Sequence, residues 1–146
     1  MPYAEVTEKV KEITLEATIE NIKTATDFID KELEALACPL KAQMQIDVAI
    51  DELFGNIVHY AYSPGTGYVT LRFDYEAENE IATVTFEDNG IPYNPLEKND
   101  PDVSLTAEDR GVGGLGIFLV KKTMDFMDYQ YKDNKNILCI GKRINR

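Results

Sequence analysis

The sequence predicts an α+β fold: a two-layer α/β sandwich whose mixed, mainly antiparallel sheet carries helices on one face. Three observations predict it. Apolar residues recur with a helical period through two consecutive segments, 21–36 and 40–62. The period then drops to two over residues 69–73 and 82–86. A third helical run, near 113–124, precedes two closing strands near 126–132 and 137–144.

Each element has a local reason. Ile13, Leu15 and Ala17 alternate with polar residues, as a half-buried edge strand requires. Asn21 is a suitable cap for a helix reaching about Leu36, with Ile22, Ala25, Ile29, Leu33 and Leu36 as its apolar stripe. Cys38-Pro39 breaks that helix. The next is expected from about Leu40 to Tyr62, with Ile46, Ile50, Leu53, Phe54, Ile57 and Ala61 on one face, ended by Ser63-Pro64-Gly65-Thr66-Gly67. Val69, Leu71 and Phe73 alternate, as do Ala82, Val84 and Phe86, with a polar turn around Glu78-Asn79 between them. That pattern is an antiparallel hairpin. Residues 91–110 lack a period and hold three prolines; stretches of this length without regular structure are more often functional than idle. The last two strands flank the turn Asp133-Asn134-Lys135.

The composition sets outer bounds. The 146 residues suit a single domain spanning 1–146, with enough apolar residues for a proper core. The net charge of -11 repels a phosphate backbone, which argues against nucleic acid as a partner. Any phosphate must be held locally, by backbone N–H groups, a metal or a few placed cations. Cys38 and Cys139 are read as free thiols in a reducing compartment. The charged N-terminus does not resemble a signal peptide, and no apolar run reaches the length of a membrane span, so no membrane association and a cytoplasmic location are expected.

Three short stretches carry chemistry. Glu52 and Asn56 lie one helical turn apart, with His59 one turn further, in a stripe about 140° from the Ile50/Ile57 core face. A carboxylate and an amide are oxygen donors that suit Mg²⁺, and a carboxylate beside phosphate can serve as a general base. The same spacing also fits a solvated helix face. His59, the only histidine, is either a partner to that pair or a surface residue; nothing beside it supports a zinc site. Asp88 ends a strand and is placed to accept a hydrogen bond from a ligand's amino group, while Gly90 permits close backbone approach. A plain Asp-Asn-Gly turn has the same sequence. Gly111, Gly113, Gly114 and Gly116 precede the apolar run Ile117-Phe118-Leu119-Val120. Glycines opening a helix expose N–H groups to an anion, although a flexible loop with a cap reads the same way. The run is neither a Walker loop nor a dinucleotide fingerprint.

In this order the three motifs resemble those of the GHKL, or Bergerat-fold, ATPases, and within them the bacterial anti-sigma-factor serine/threonine protein kinases. The resemblance extends from about residue 10 to 144. Glu52 and Asn56 match the N box; Asp88-Asn89-Gly90-Ile91-Pro92-Tyr93-Asn94-Pro95 matches the first glycine box; Arg110 to Val120 matches the second. Met124-Asp125 and the closing hairpin also match. One departure is plain: many superfamily members carry a Thr near the start of the final strand, where this chain has Lys135-Asn136-Ile137.

The resemblance implies ATP and Mg²⁺ as cofactors. It makes Glu52 the catalytic base, Asn56 the metal ligand and Asp88 the reader of the adenine amino group. Gly90, Arg110, Gly111, Gly113, Gly114, Leu115 and Gly116 would complete the nucleotide site, with residues 91–110 as the lid. It implies an ATP-binding anti-sigma factor that phosphorylates an anti-anti-sigma antagonist, acting as a homodimer that also holds a sigma factor. The alternative is a nucleotide-switched binding module of the same fold that transfers no phosphate. A sensor histidine kinase is disfavoured, since the chain has no dimerisation helix bearing a phospho-accepting His.

Overall fold

The computed structural model describes residues 11–62, 65–97 and 114–144. Strand β1 is Lys11–Glu16, helix α1 Asn21–Ala35, and helix α2 Leu40–Asn56, which continues as a π-helical turn over Ile57–Ala61. Strands β2 (Tyr68–Glu76) and β3 (Ile81–Asp88) follow, then a 3₁₀ turn at Pro95–Glu97. Helix α3 (Gly114–Thr123) leads to β4 (Phe126–Lys132) and β5 (Lys135–Arg143). No helix among the described residues is long and apolar enough to cross a membrane.

The five strands form one sheet in the order β1-β2-β3-β5-β4, and every pairing is antiparallel. The expected mixed sheet is thus corrected to a wholly antiparallel one. The reason is topological. β4 runs in the same direction as β3, as strands linked through a helix do, but β5 folds back between them and takes the pairing from both. A two-residue turn permits this: Asp133 and Asn134 both adopt positive φ (55° and 63°), the backbone of a tight hairpin whose twist matches its strands.

One sheet face is covered. Leu71, Val84, Phe86 and Ile140 are buried together with Ile29 and Leu33 of α1, Ile46, Ile50, Leu53 and Phe54 of α2, and Ile117 and Val120 of α3. The other face is polar. Thr14 and Thr70 share a hydrogen bond (2.8 Å), and Glu87 is held between Arg72 and Lys135, the latter at 2.9 Å. The hydrogen bond from Arg72, then that from Lys135, keeps the Glu87 carboxyl below its usual range.

The second helix departs from expectation at its end. It is α-helical only to Asn56 and then widens. The widened turn is met by the segment after β3: the carbonyl of Ala61 accepts the Ile91 N–H at 2.9 Å, and Gly90 packs against Ala61 so tightly that a Cβ there would overlap it. π-turns of this kind recur at functional sites.

Candidate active site

Helix α2 presents Glu52 and Asn56, both half-buried, one turn apart. Helix α3 meets α2 at Gly116, where a Cβ would fall within the Glu52 carboxylate. A side chain at 116 would push the Glu52 carboxylate from this position. The first turn of α3, which holds Gly114, Leu115 and Gly116, thus opens beside Glu52 with N–H groups that have no partner within their own helix. Arg110, Gly111 and Gly113 lie outside the described residues.

Beyond Asn56 is a small cavity of about 20 Å³ whose walls include Asn56, Asp88, Tyr93, Pro95, Tyr129 and Asn136. Asp88 ends the inward-facing row of β3 (Ala82, Val84, Phe86) and is 4% exposed. Its Oδ1 accepts the Gly90 N–H at 2.8 Å, which fixes the turn. Burial pushes the Asp88 carboxyl up, while N–H donors from Asn136 and Gly90 pull it back. Tyr62, at the end of the π-turn, donates its hydroxyl to Tyr68 O (2.7 Å) and accepts the Asn89 N–H (2.8 Å). The Asp88-Asn89-Gly90 turn is therefore pinned from two sides.

The structure brings Glu52, Asn56, Asp88, Gly90 and Gly116 to one end of the sandwich. It leaves His59 exposed in the π-turn, its ring edge-on to Tyr60. The first residues of the aperiodic stretch are anchored: Pro95 is buried, and Tyr93 stacks on Tyr60 with ring centroids 5.0 Å apart. In the sequence Asn136 stands out only as a departure from the family pattern, and nothing marks Tyr62 or Tyr129. One signal was available. Asp88 and Asn136 each place a polar group in an otherwise apolar inward row, Asn136 ahead of Leu138 and Ile140. They sit directly opposite one another on β3 and β5.

A Mg²⁺-nucleotide fits this donor set. No group of three or more His, Cys, Asp or Glu that could cage a metal occurs among the described residues. Asn56, by contrast, has a buried amide nitrogen with no hydrogen-bond partner there. An amide's nitrogen and oxygen exchange places by a flip, so Asn56 can turn an oxygen ligand to the same spot. Mg²⁺ commonly takes few protein ligands and completes its shell with phosphate oxygens and water.

The histidine kinase-like ATPase domain family matches residues 15–142. The chain belongs to this family. The serine/threonine-protein kinase BtrW of Bordetella bronchiseptica is 29% identical over 103 residues, which cover 68% of this chain and 70% of that protein. The serine-protein kinase RsbW of Bacillus mycoides is 31% identical over 96 residues, covering 62% of this chain and 58% of its own length. Among solved structures, the histidine kinase domain of the blue-light activated histidine kinase EL346 of Erythrobacter litoralis superposes with a TM-score of 0.53. That match has 22% identity over 73% of this chain and 46% of the other, so the likeness is one of fold. The histidine kinase-like ATPase fold agrees with the α+β sandwich expected, and the kinase-named relatives agree with the subgroup that the motifs resemble.

Proposed function

We propose that this histidine kinase-like ATPase domain binds ATP with Mg²⁺ and phosphorylates a serine or threonine of a protein antagonist, as an anti-sigma factor working by partner switching. The observation that carries the reading is the packing of the Glu52 carboxylate on Gly116, one helical turn from Asn56. A carboxylate at the mouth of a helix N-terminus, where phosphate is favoured, is placed to take the proton of an acceptor hydroxyl.

In this reading Asn56 holds Mg²⁺, which supplies charge neutralisation to the phosphates. Asp88 accepts a hydrogen bond from the adenine amino group, with Gly90 allowing the ring close. Arg110, Gly111, Gly113, Gly114, Leu115 and Gly116 hold the phosphates, residues 91–110 act as the lid, and residues 1–146 work as one domain. Glu52 takes the proton of the acceptor hydroxyl as that hydroxyl's oxygen bonds to the γ-phosphorus and the bond to ADP breaks. The partners proposed are an anti-anti-sigma antagonist, a sigma factor and a second copy of this chain. The position of β1 at the sheet edge supports the last, since an edge strand offers surface for association. The net charge of -11 supports proteins over nucleic acid, and a cytoplasmic setting suits both cofactor and partners.

The test is incubation of the purified chain with Mg²⁺, γ-labelled ATP and candidate antagonist proteins encoded beside it. Label on a serine or threonine of one antagonist, absent with Glu52→Ala, is expected. Nucleotide-dependent binding of the antagonist without label would favour the alternative, a switch module that transfers nothing.

A further inference from the structure

Asn136 is 4% exposed, and its side chain is fully engaged within the chain. Its Nδ2 donates to Asp88 Oδ1 and to the Ile91 carbonyl, both at 2.9 Å. Its Oδ1 accepts the Tyr93 N–H at 3.1 Å and the Tyr129 hydroxyl. A primary amide has two N–H donors and two acceptor lone pairs, so nothing is left over. The amide orientation is also determined: a flip would set its oxygen against Asp88 and the Ile91 carbonyl, and its NH₂ against the Tyr93 N–H.

This has consequences for Asp88. Asn136 and the Gly90 N–H both donate to Oδ1. Oδ2 has no such bond among the described residues and is the oxygen left for a ligand. With both Asn136 hydrogens committed, no side-chain donor from β5 can turn toward the cavity. Ile91 and Tyr93, which Asn136 fastens, belong to the segment whose Tyr93 and Pro95 wall that cavity.

We infer that Asn136 is the positioning residue for base selection: it turns Asp88 so that one acceptor oxygen meets the ligand, and it latches the Ile91–Tyr93 backbone over the cavity. The inference rests on the nucleotide reading of this pocket. A base with an amino group at the reading position supplies the missing donor. A base with a carbonyl there sets acceptor against acceptor, and Asn136 cannot rotate to rescue it without breaking its own bonds. A single hydroxyl at position 136 could hold Asp88 but could not span both Ile91 and Tyr93.

Calorimetry of the full chain with Mg²⁺-ADP and Mg²⁺-IDP tests this, because the two ligands differ only in the base and present an amino group and a carbonyl, respectively, at the same place. The unaltered chain should favour ADP by on the order of 10–100-fold, the cost of leaving one buried hydrogen bond unmade. Asn136→Ala should weaken ADP and shrink that ratio to a few-fold, which a mere loss of stability would not do. Asn136→Thr should keep the ratio while weakening both ligands. An undiminished ratio in Asn136→Ala, or no preference for ADP in the unaltered chain, would overturn the inference. If Asn136→Ala does not fold, Asn136→Thr decides: unchanged ADP affinity refutes the latch, and weakened affinity with the ratio kept supports it. Failure of the unaltered chain to bind either ligand would instead sink the nucleotide reading, and the inference with it.

Discussion

The carboxylate of Glu52 lies against the α-carbon of Gly116, where a methyl group would force that carboxylate to move. The candidate base and the candidate phosphate turn are thus set by one contact. Gly116→Ala should displace Glu52 and lower phosphoryl transfer by about 10-fold or more, since ångström-scale misplacement of a catalytic group is costly. Single-turnover kinetics should show this loss exceeding any change in ATP affinity. Normal transfer by a folded Gly116→Ala chain would deny the contact a role.

Asp88→Asn and Glu52→Ala should fail in different ways. Asp88 is buried and in the proposed role offers an acceptor to the ligand, so its loss should weaken ADP binding by about 1–3 kcal/mol. Glu52 acts only on the reacting proton in the proposed role. Its loss should spare ADP binding and lower turnover by about 10²–10⁴-fold. Calorimetry on both variants checks the split; equal losses of affinity would contradict the assigned roles.

Tyr62→Phe removes a hydroxyl that serves two backbone groups, the Tyr68 carbonyl and the Asn89 N–H. The ring also fills the space beside Gly67, where a Cβ would overlap it. Phenylalanine keeps the ring and loses both hydrogen bonds, so stability should fall by about 1–2 kcal/mol in urea denaturation. ADP affinity should fall as well, because Asn89 directly follows Asp88, the proposed base reader. A variant of unchanged stability would show that water replaces the hydroxyl at no cost.

Asp47 on α2 gives a pH dependence of known sign. Burial, then the hydrogen bond that its protonated carboxyl donates to Asp30 and the charges of Asp30, Asp27 and Glu34, pushes it from 3.8 up to about 8. A raised acid means that the folded chain holds a proton which the unfolded chain releases. Stability from this group is therefore greatest below about pH 4 and is lost as pH rises toward about 8. Asp47→Asn should raise the melting temperature at pH 8 and change it little below about pH 4. Identical pH profiles for the two proteins would show that Asp47 titrates normally.

The alternation of Leu71 with Phe73 and of Val84 with Phe86 was enough to place β2 and β3 and to say which face each buries. Helical spacing of Ile29 and Leu33, and of Ile46, Ile50 and Leu53, did the same for α1 and α2. These signals are local: period and burial follow from a few neighbouring residues. Glu52, Asn56, Asp88 and Gly116 were visible for the same reason, as polar or glycine positions set at the edges of apolar runs.

What the sequence by itself determined was thus the identity and facing of the elements, and the short motifs at their ends. The tertiary structure alone decided which ends meet. The insertion of β5 between β3 and β4 puts Asn136 opposite Asp88, forty-eight positions away in the chain, and makes the sheet wholly antiparallel. The π-turn at Ile57–Ala61 meets Ile91 and Gly90 through Ala61. A hydrogen bond or a close packing between distant segments leaves no period in either of them, so a buried Asn on a strand and a glycine on a helix acquire their meaning only when the sheet and the helices have packed.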